Sequence, residues 1–300
     1  MLKVFLKSPV SAATLFIFIS FLFCSLAQAV ENSQPKSMQV GVNLQVRAYL
    51  QGPYEASTGF MKDNLRSRGL IPQQQPYSSA PFLYAGTETL NRSLTSISLG
   101  GDANALVDWV LLELRSTNSP AVVVAQKAVG LQADGDLMDV QTGATTLAFL
   151  NVSAGDYYVS VRHRNHLGVV SASAQALSFM TKLVDFSKPS VAVMGQNSRL
   201  LTGNLALLWA GDINQDKKVI ANGVGNDSNV LISTVLGASG NSALNTSYKL
   251  AGYVPSDLNL DGDSVAVGPS NDNTLIHSNV LTSPANPNLI SNFILGGNGY

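Results

Sequence analysis

The sequence has little cysteine, little charge and little histidine. Its one cysteine, Cys24, sits inside an apolar N-terminal run. The 300 − 29 = 271 residues beyond that run therefore have no disulfide and depend on an apolar core or on metal. Charged residues make up only 12%, which excludes a highly charged disordered chain. The formal net charge is 18 − 19 = −1, so there is no basic footprint for nucleic acid, and no such partner is expected. The histidines are His163, His166 and His277. There is no Gly-x-Ser-x-Gly elbow and no Gly-rich phosphate loop with Lys. Asp108 and Glu113, five apart on one expected strand, point to opposite faces and make a poor acid/base pair. The chain is not expected to be an enzyme. Past the N-terminal run, no segment is long and apolar enough to span a bilayer.

What is present begins with an export signal. Lys3 and Lys7 precede the apolar stretch Leu15–Phe23, and Ala27-Gln28-Ala29 is a small-x-small cleavage site. Residues 1–29 read as a signal peptide, in preference to an uncleaved anchor, because the apolar run is short and the cleavage box follows it directly. The mature chain then carries 16 − 19 = −3 charges and is expected outside the cell or on its surface. Residues 30–39 form a polar linker. Val40, Val42, Leu44 and Val46 alternate as in a strand, and residues 58–68 suit one short helix. Further strands are expected at Val107–Leu114, Ala121–Val124, Tyr157–Val161 and Leu177–Phe186, with a hairpin turn at Asp134-Gly135-Asp136. The whole reads as mainly β: an antiparallel β-sandwich over 40–186, a linker over 187–204 and a duplicated module over 205–300.

The module carries the most informative pattern. Glutamate is absent after Glu113, and the seven acidic residues after Pro189 are all aspartates confined to two windows. The first holds Asp212, Asn214, Asp216, Lys218 and Asp227; the second holds Asp257, Asn259, Asp261, Asp263 and Asp272. A shift of 257 − 212 = 45 residues lays one on the other without a gap, with ten of 25 positions identical between 212–236 and 257–281. A match at fixed period, concentrated on oxygen-bearing residues, is a duplication. Calcium takes six to eight oxygens, and a tight loop presents its first, third and fifth side chains and its seventh carbonyl to one centre. Two Ca2+ sites are expected, one per window. The seventh-position carbonyls are those of Lys218 and Asp263, and Gly262 sits where the second loop must turn sharply. An EF-hand would end on Glu at the twelfth position, but Gly223 and Gly268 stand there. Asp227 and Asp272 are expected to close longer loops from the first turn of a following helix. A surface cluster of Asx turns without metal is the alternative. Lys217, lacking the glycine of the second copy, is expected to be strained, and the second site to bind more tightly.

Asp212, Asn214, Asp216 and Asp257, Asn259, Asp261, Gly262 resemble type I dockerin repeats, which are paired calcium loops each followed by a helix. Asp227 and Asp272 fall later than the dockerin end position. Longer stretches, Leu50-Gln-Gly-Pro-Tyr54, Asp108–Arg115, Asp134-Gly135-Asp136, Tyr157–Leu167 and Leu208-Trp-Ala-Gly-Asp212, are similar to secreted proteins of Bacteroidetes-type bacteria sometimes labelled hemagglutinin-like. That resemblance implies a β-rich module joined to a calcium-loop pair, with no catalytic activity.

Two further clusters remain. Arg162-His163-Arg164-Asn165-His166 could ligate a transition metal or touch a glycan, but is better read as a polar turn packing on Trp109 or Tyr157. Tyr54, Tyr77, Trp109, Tyr157 and Tyr158 could form a sugar platform or simply pack the sheet. The expected function is that of a secreted, calcium-binding, non-enzymatic interaction or structural protein, with an extracellular protein or glycan as partner. The alternatives are a dockerin-like adaptor for a surface scaffold and a carbohydrate-binding accessory protein of polysaccharide degradation.

Overall fold

The computed structural model describes residues 41–91, 93 and 102–296. The expected signal peptide and the linker 30–39 lie outside the described residues. In chain order the elements are β1 (Val42–Arg47), β2 (Tyr54–Glu55), β3 (Phe60–Met61), α1 (Asn64–Ser67), β4 (Leu106–Arg115), β5 (Val123–Gln132), β6 (Leu137–Met138), β7 (Leu147–Phe149), β8 (Gly155–Arg162), β9 (Val169–Val170), β10 (Gln175–Leu177) and β11 (Lys182–Asp185). There follow β12 (Arg199–Thr202), β13 (Leu205–Leu208), β14 (Lys218–Ile220), α2 (Asp227–Leu236), β15 (Leu250–Ala251), β16 (Asp263–Ser264), α3 (Asn273–Thr282) and β17 (Ile294–Gly296). The chain is mainly β.

Two sheets face each other across one apolar interior. The smaller has the order β11-β1-β7; the larger runs β10-β8-β4-β5-β6, with β9 also on β8. Alternation sets which side chains go inward. Val42, Leu44 and Val46 of β1 meet Val110, Leu112 and Leu114 of β4 and Val159 and Val161 of β8 in a single core. Strand β4 is buried on both faces. Its other face turns Trp109 and Leu111 toward Tyr77 and Leu90, from the largely irregular segment that covers the large sheet. Each fully buried side chain of this size stabilises by about 1.5–3 kcal/mol. The β5–β6 hairpin turns at Gly135, whose φ is +86° and whose absent Cβ would lie 2.6 Å from the Tyr49 ring.

Three local expectations differ from the structure. The pairing is not antiparallel throughout, because β1 and β11 run parallel, Leu44 opposite Lys182. The stretch 58–68 holds strand β3 and only the four-residue helix α1, since Gly59 at φ +76° and the β2–β3 pairing take its first turn. Leu177–Phe186 divides into β10, on the large sheet, and β11, on the small one.

The C-terminal part has its own core of Trp209, Ile213, Val219, Leu231, Val235, Leu258, Ile276, Val280 and Leu295. The 45-residue period of the sequence reappears in its strand pairing. Strand β14, from the first copy, pairs with β17, which follows the second helix, with Val219 opposite Leu295. Strand β16, from the second copy, pairs with β15, which follows the first helix, with Ser264 opposite Leu250. Adding 45 to 219 and 250 gives 264 and 295. Each copy is thus completed by a strand that follows the other copy's helix.

Candidate metal centres and their junction with the sandwich

The two acidic loops share the same pair of successive Asx turns. Asn214 Oδ1 accepts from the Asp216 amide at 3.0 Å, and Asn259 Oδ1 from the Asp261 amide at 2.8 Å. Asp216 Oδ1 accepts from the Lys218 amide at 3.0 Å, and Asp261 Oδ1 from the Asp263 amide at 2.9 Å. Short side chains at alternate positions fold the chain back on itself in successive Asx turns. The sixth position needs positive φ in both loops: Lys217 has +69° and Gly262 +91°. The following helices are capped alike, with Asn226 accepting from the Asn229 amide and Asn271 from the Thr274 amide.

Asp227 and Asp272 tie each loop to its helix. Asp227 Oδ1 accepts from the Ile213 amide at 2.9 Å and Oδ2 from the Ile220 amide at 2.9 Å. Asp272 does the same to Leu258 at 2.7 Å and Val265 at 2.9 Å. Asp257 Oδ2 accepts from the Gly262 amide at 2.9 Å. Asp212, only 3% exposed, leaves Oδ1 with no hydrogen-bond partner. The Asp263 carboxylate is held by Arg68 at 2.9 Å, with Lys249 at 3.8 Å. The Lys218 side chain, heading β14, is exposed.

The electrostatics follow from burial. Burial and the charges of Asp227 and Asp216 push the Asp212 carboxyl well above the usual carboxylate range. Burial raises Asp227 to about 7 against the pull of its backbone amides. Burial and the Asp272 charge raise Asp257 to about 8 even though Arg164 opposes them. Burial raises Asp272 to about 6. Clustered buried carboxylates that resist ionisation are what a bound cation relieves. Among the described residues, no three His, Cys, Asp or Glu side chains converge closely enough to make a formed metal cluster. The residues fit an oxygen-only cation site because the donors of each loop also include an asparagine and a backbone carbonyl.

Beneath the second loop lies a buried polar junction. Asp108 on β4 accepts from Arg164 Nε at 3.0 Å and from the Tyr253 hydroxyl at 2.6 Å, and lies 3.1 Å from His163 Nε2. Burial alone would raise its pKa, but Arg164, His163 and Tyr253 outweigh that and hold it at about 2. His163 Nδ1 lies 3.1 Å from His166 Nδ1. The Gly52 amide donates to His166 Nε2 at 3.1 Å, so the proton of a neutral His166 is assigned to Nδ1. Burial lowers both histidines, His166 further than His163. The Arg164 guanidinium stacks 4.2 Å from the Tyr253 ring and donates to the Val254 carbonyl. Gln51 and Asn279 exchange two side-chain hydrogen bonds, at 2.7 and 2.8 Å.

Several expectations are corrected by this arrangement. The polar turn holding His163 and His166 packs inward as expected of a packed turn, but its polar partners are Asp108 and the two rings themselves, and both histidines are fully buried. Their closure leaves no route to a glycan. Tyr77 and Trp109 are likewise buried in the core and cannot join a sugar platform. Asp108 and Glu113 are both fully buried, Glu113 paired with Arg115. Sequence reasoning missed Arg68 and Tyr253, and named Gln51 and Asn165 only within longer stretches, without their partners. One signal was available: the stretches Leu50–Tyr54, Asp108–Arg115, Tyr157–Leu167 and Leu208–Asp212 all supply residues to this one junction.

No protein-family model matches the chain, and no curated protein matches it. A chain from a type II cohesin–X-dockerin complex of Acetivibrio cellulolyticus, crystallised as an N-terminal interface mutant, is 14% identical to this one. The match covers 79% of this chain and 93% of that one at a TM-score of 0.34, too slight a likeness to define fold or function.

Proposed function

We propose that this is a secreted, calcium-binding, non-enzymatic protein. Its β-sandwich and duplicated acidic loops form an extracellular interaction or structural element, with a protein or glycan as partner. The observation that carries the reading is the buried Asp212 carboxylate, which has an unpartnered oxygen inside a loop of matched Asp and Asn oxygens. The first site would be held by Asp212, Asn214, Asp216 and the Lys218 carbonyl, and the second by Asp257, Asn259, Asp261 and the Asp263 carbonyl. Asp227 and Asp272 close the loops beside them. Calcium would supply there the positive charge that the buried carboxylates lack. The ion pairing of Asp108 and Glu113 deep in the sandwich favours structural roles over acid–base work.

Thermal melting of the full chain with calcium and with chelator tests this. A higher midpoint in calcium that is lost in Asp212→Ala and Asp257→Ala is expected. Equal midpoints in calcium and chelator contradict it. The matched loop–helix pair favours a second reading, a dockerin-like adaptor. That reading predicts capture of a single surface scaffold protein in calcium but not in chelator.

A further inference from the structure

We infer that Asn165, a residue of the sandwich, is a positioning residue for the second acidic loop and sets its calcium affinity from outside the module. The inference rests on the calcium reading above.

Asn165 lies between β8 and β9 and is fully buried. Its side-chain amide donates to the Asp257 carbonyl at 2.6 Å and to the Pro255 carbonyl at 2.9 Å. Its Oδ1 lies 2.8 Å from His166 Nδ1, the nitrogen to which the proton is assigned. The Gly52 amide bond to His166 Nε2 therefore fixes which end of the Asn165 amide faces the loop. Asp257 is the first residue of the second loop, and its main chain is pinned from the sandwich side. The next residue is pinned too: a Cβ on Gly52 would lie 1.8 Å from the Leu258 carbonyl oxygen. The loop entrance has no room to shift in that direction.

The first loop touches the same asparagine differently. The Gly211 amide, one residue before Asp212, donates to the Asn165 main-chain carbonyl at 2.9 Å. The side chain of Asn165 thus addresses the second loop, and its backbone the first. Removing the side chain strips two hydrogen bonds from the entrance of the second loop and leaves the contact to the first in place. Residues that orient metal ligands in this way typically change affinity by about 10–100-fold.

The test is calorimetric calcium titration of the full chain. Asp216→Ala leaves only the second loop competent, and Asp261→Ala only the first. Adding Asn165→Ala is expected to weaken the second loop by about 10–100-fold and the first by less than about threefold. Unchanged affinity at the second loop, or equal loss at both, overturns the assignment. A purely structural role for Asn165 would move both loops together. If Asn165→Ala does not fold, hydrogen exchange of the Asn165 side-chain amide in the unmodified chain serves instead. Slower exchange in calcium than in chelator supports the assignment, and equal exchange overturns it. Failure of the unmodified chain to bind calcium at all overturns the calcium reading itself, whereas binding with Asn165→Ala silent overturns only this inference.

Discussion

The Tyr253 hydroxyl donates to the Asp108 carboxylate at 2.6 Å across a separation of 145 residues, joining the middle of the large sheet to the segment that leads into the second acidic loop. Arg164 completes the pair from the β8–β9 connection. Asp108→Asn leaves the buried Arg164 charge without its counter-charge and is expected to cost about 3–5 kcal/mol. Tyr253→Phe removes one charge-assisted hydrogen bond and is expected to cost about 1.5–3 kcal/mol. Urea unfolding of both variants checks the order and the sizes.

The paired histidines give the fold an acid limit. Burial holds His163 and His166 below the free value of about 6.5. The unfolded chain binds protons there that the folded chain excludes. Their contribution is complete above about pH 6.5 and is lost as the pH falls below it, by up to about 1.4 kcal/mol per pH unit for each ring. Because the raised aspartates of the loops favour the folded chain as the pH falls, the histidine part is read as a difference: from pH 7 to pH 5 at fixed calcium the unmodified chain should lose stability relative to His166→Gln.

The exchange of strands between the copies predicts a distant effect on the first loop. Leu295 is 1% exposed and lies opposite Val219 of the first copy. Leu295→Ala is expected to cost about 2–5 kcal/mol by opening a cavity. It should loosen the backbone amides of β14 more than those of β16, which pairs elsewhere. Residue-resolved hydrogen exchange distinguishes the two strands.

Gly262 is constrained twice, by a φ of +91° and by its neighbours. A Cβ there would lie 2.6 Å from both Arg68 Nη1 and Leu70 Cδ1. Gly262→Ala is expected to destabilise by at least about 1–2 kcal/mol from backbone strain alone. A thermal melt in chelator reads that cost apart from any effect on metal binding.

The acidic loops are legible in the sequence because their donors are local. Alternate Asp and Asn residues within one turn of chain must meet, and the 45-residue repeat marks both copies. The β5–β6 hairpin is legible for the same reason, since Asp134-Gly135-Asp136 is a contiguous turn signal. The junction is not legible residue by residue. Asp108 and His163 are 55 positions apart, and nothing near either one announces the other. A basic, histidine-rich stretch reads locally as a polar turn packed on a neighbouring aromatic, and only the long-range pairing of β4 with β8 brings it to Asp108. The parallel β1–β11 pair escapes for a related reason, because strand alternation reports which face is buried but not which neighbour it has.

Calorimetric titration of the chain with calcium, after chelator treatment, addresses the central claim most directly. Saturable binding of two ions per chain, reduced to one by Asp216→Ala or by Asp261→Ala, is the predicted result. No saturable heat at millimolar calcium, with the fold intact by circular dichroism, would contradict it.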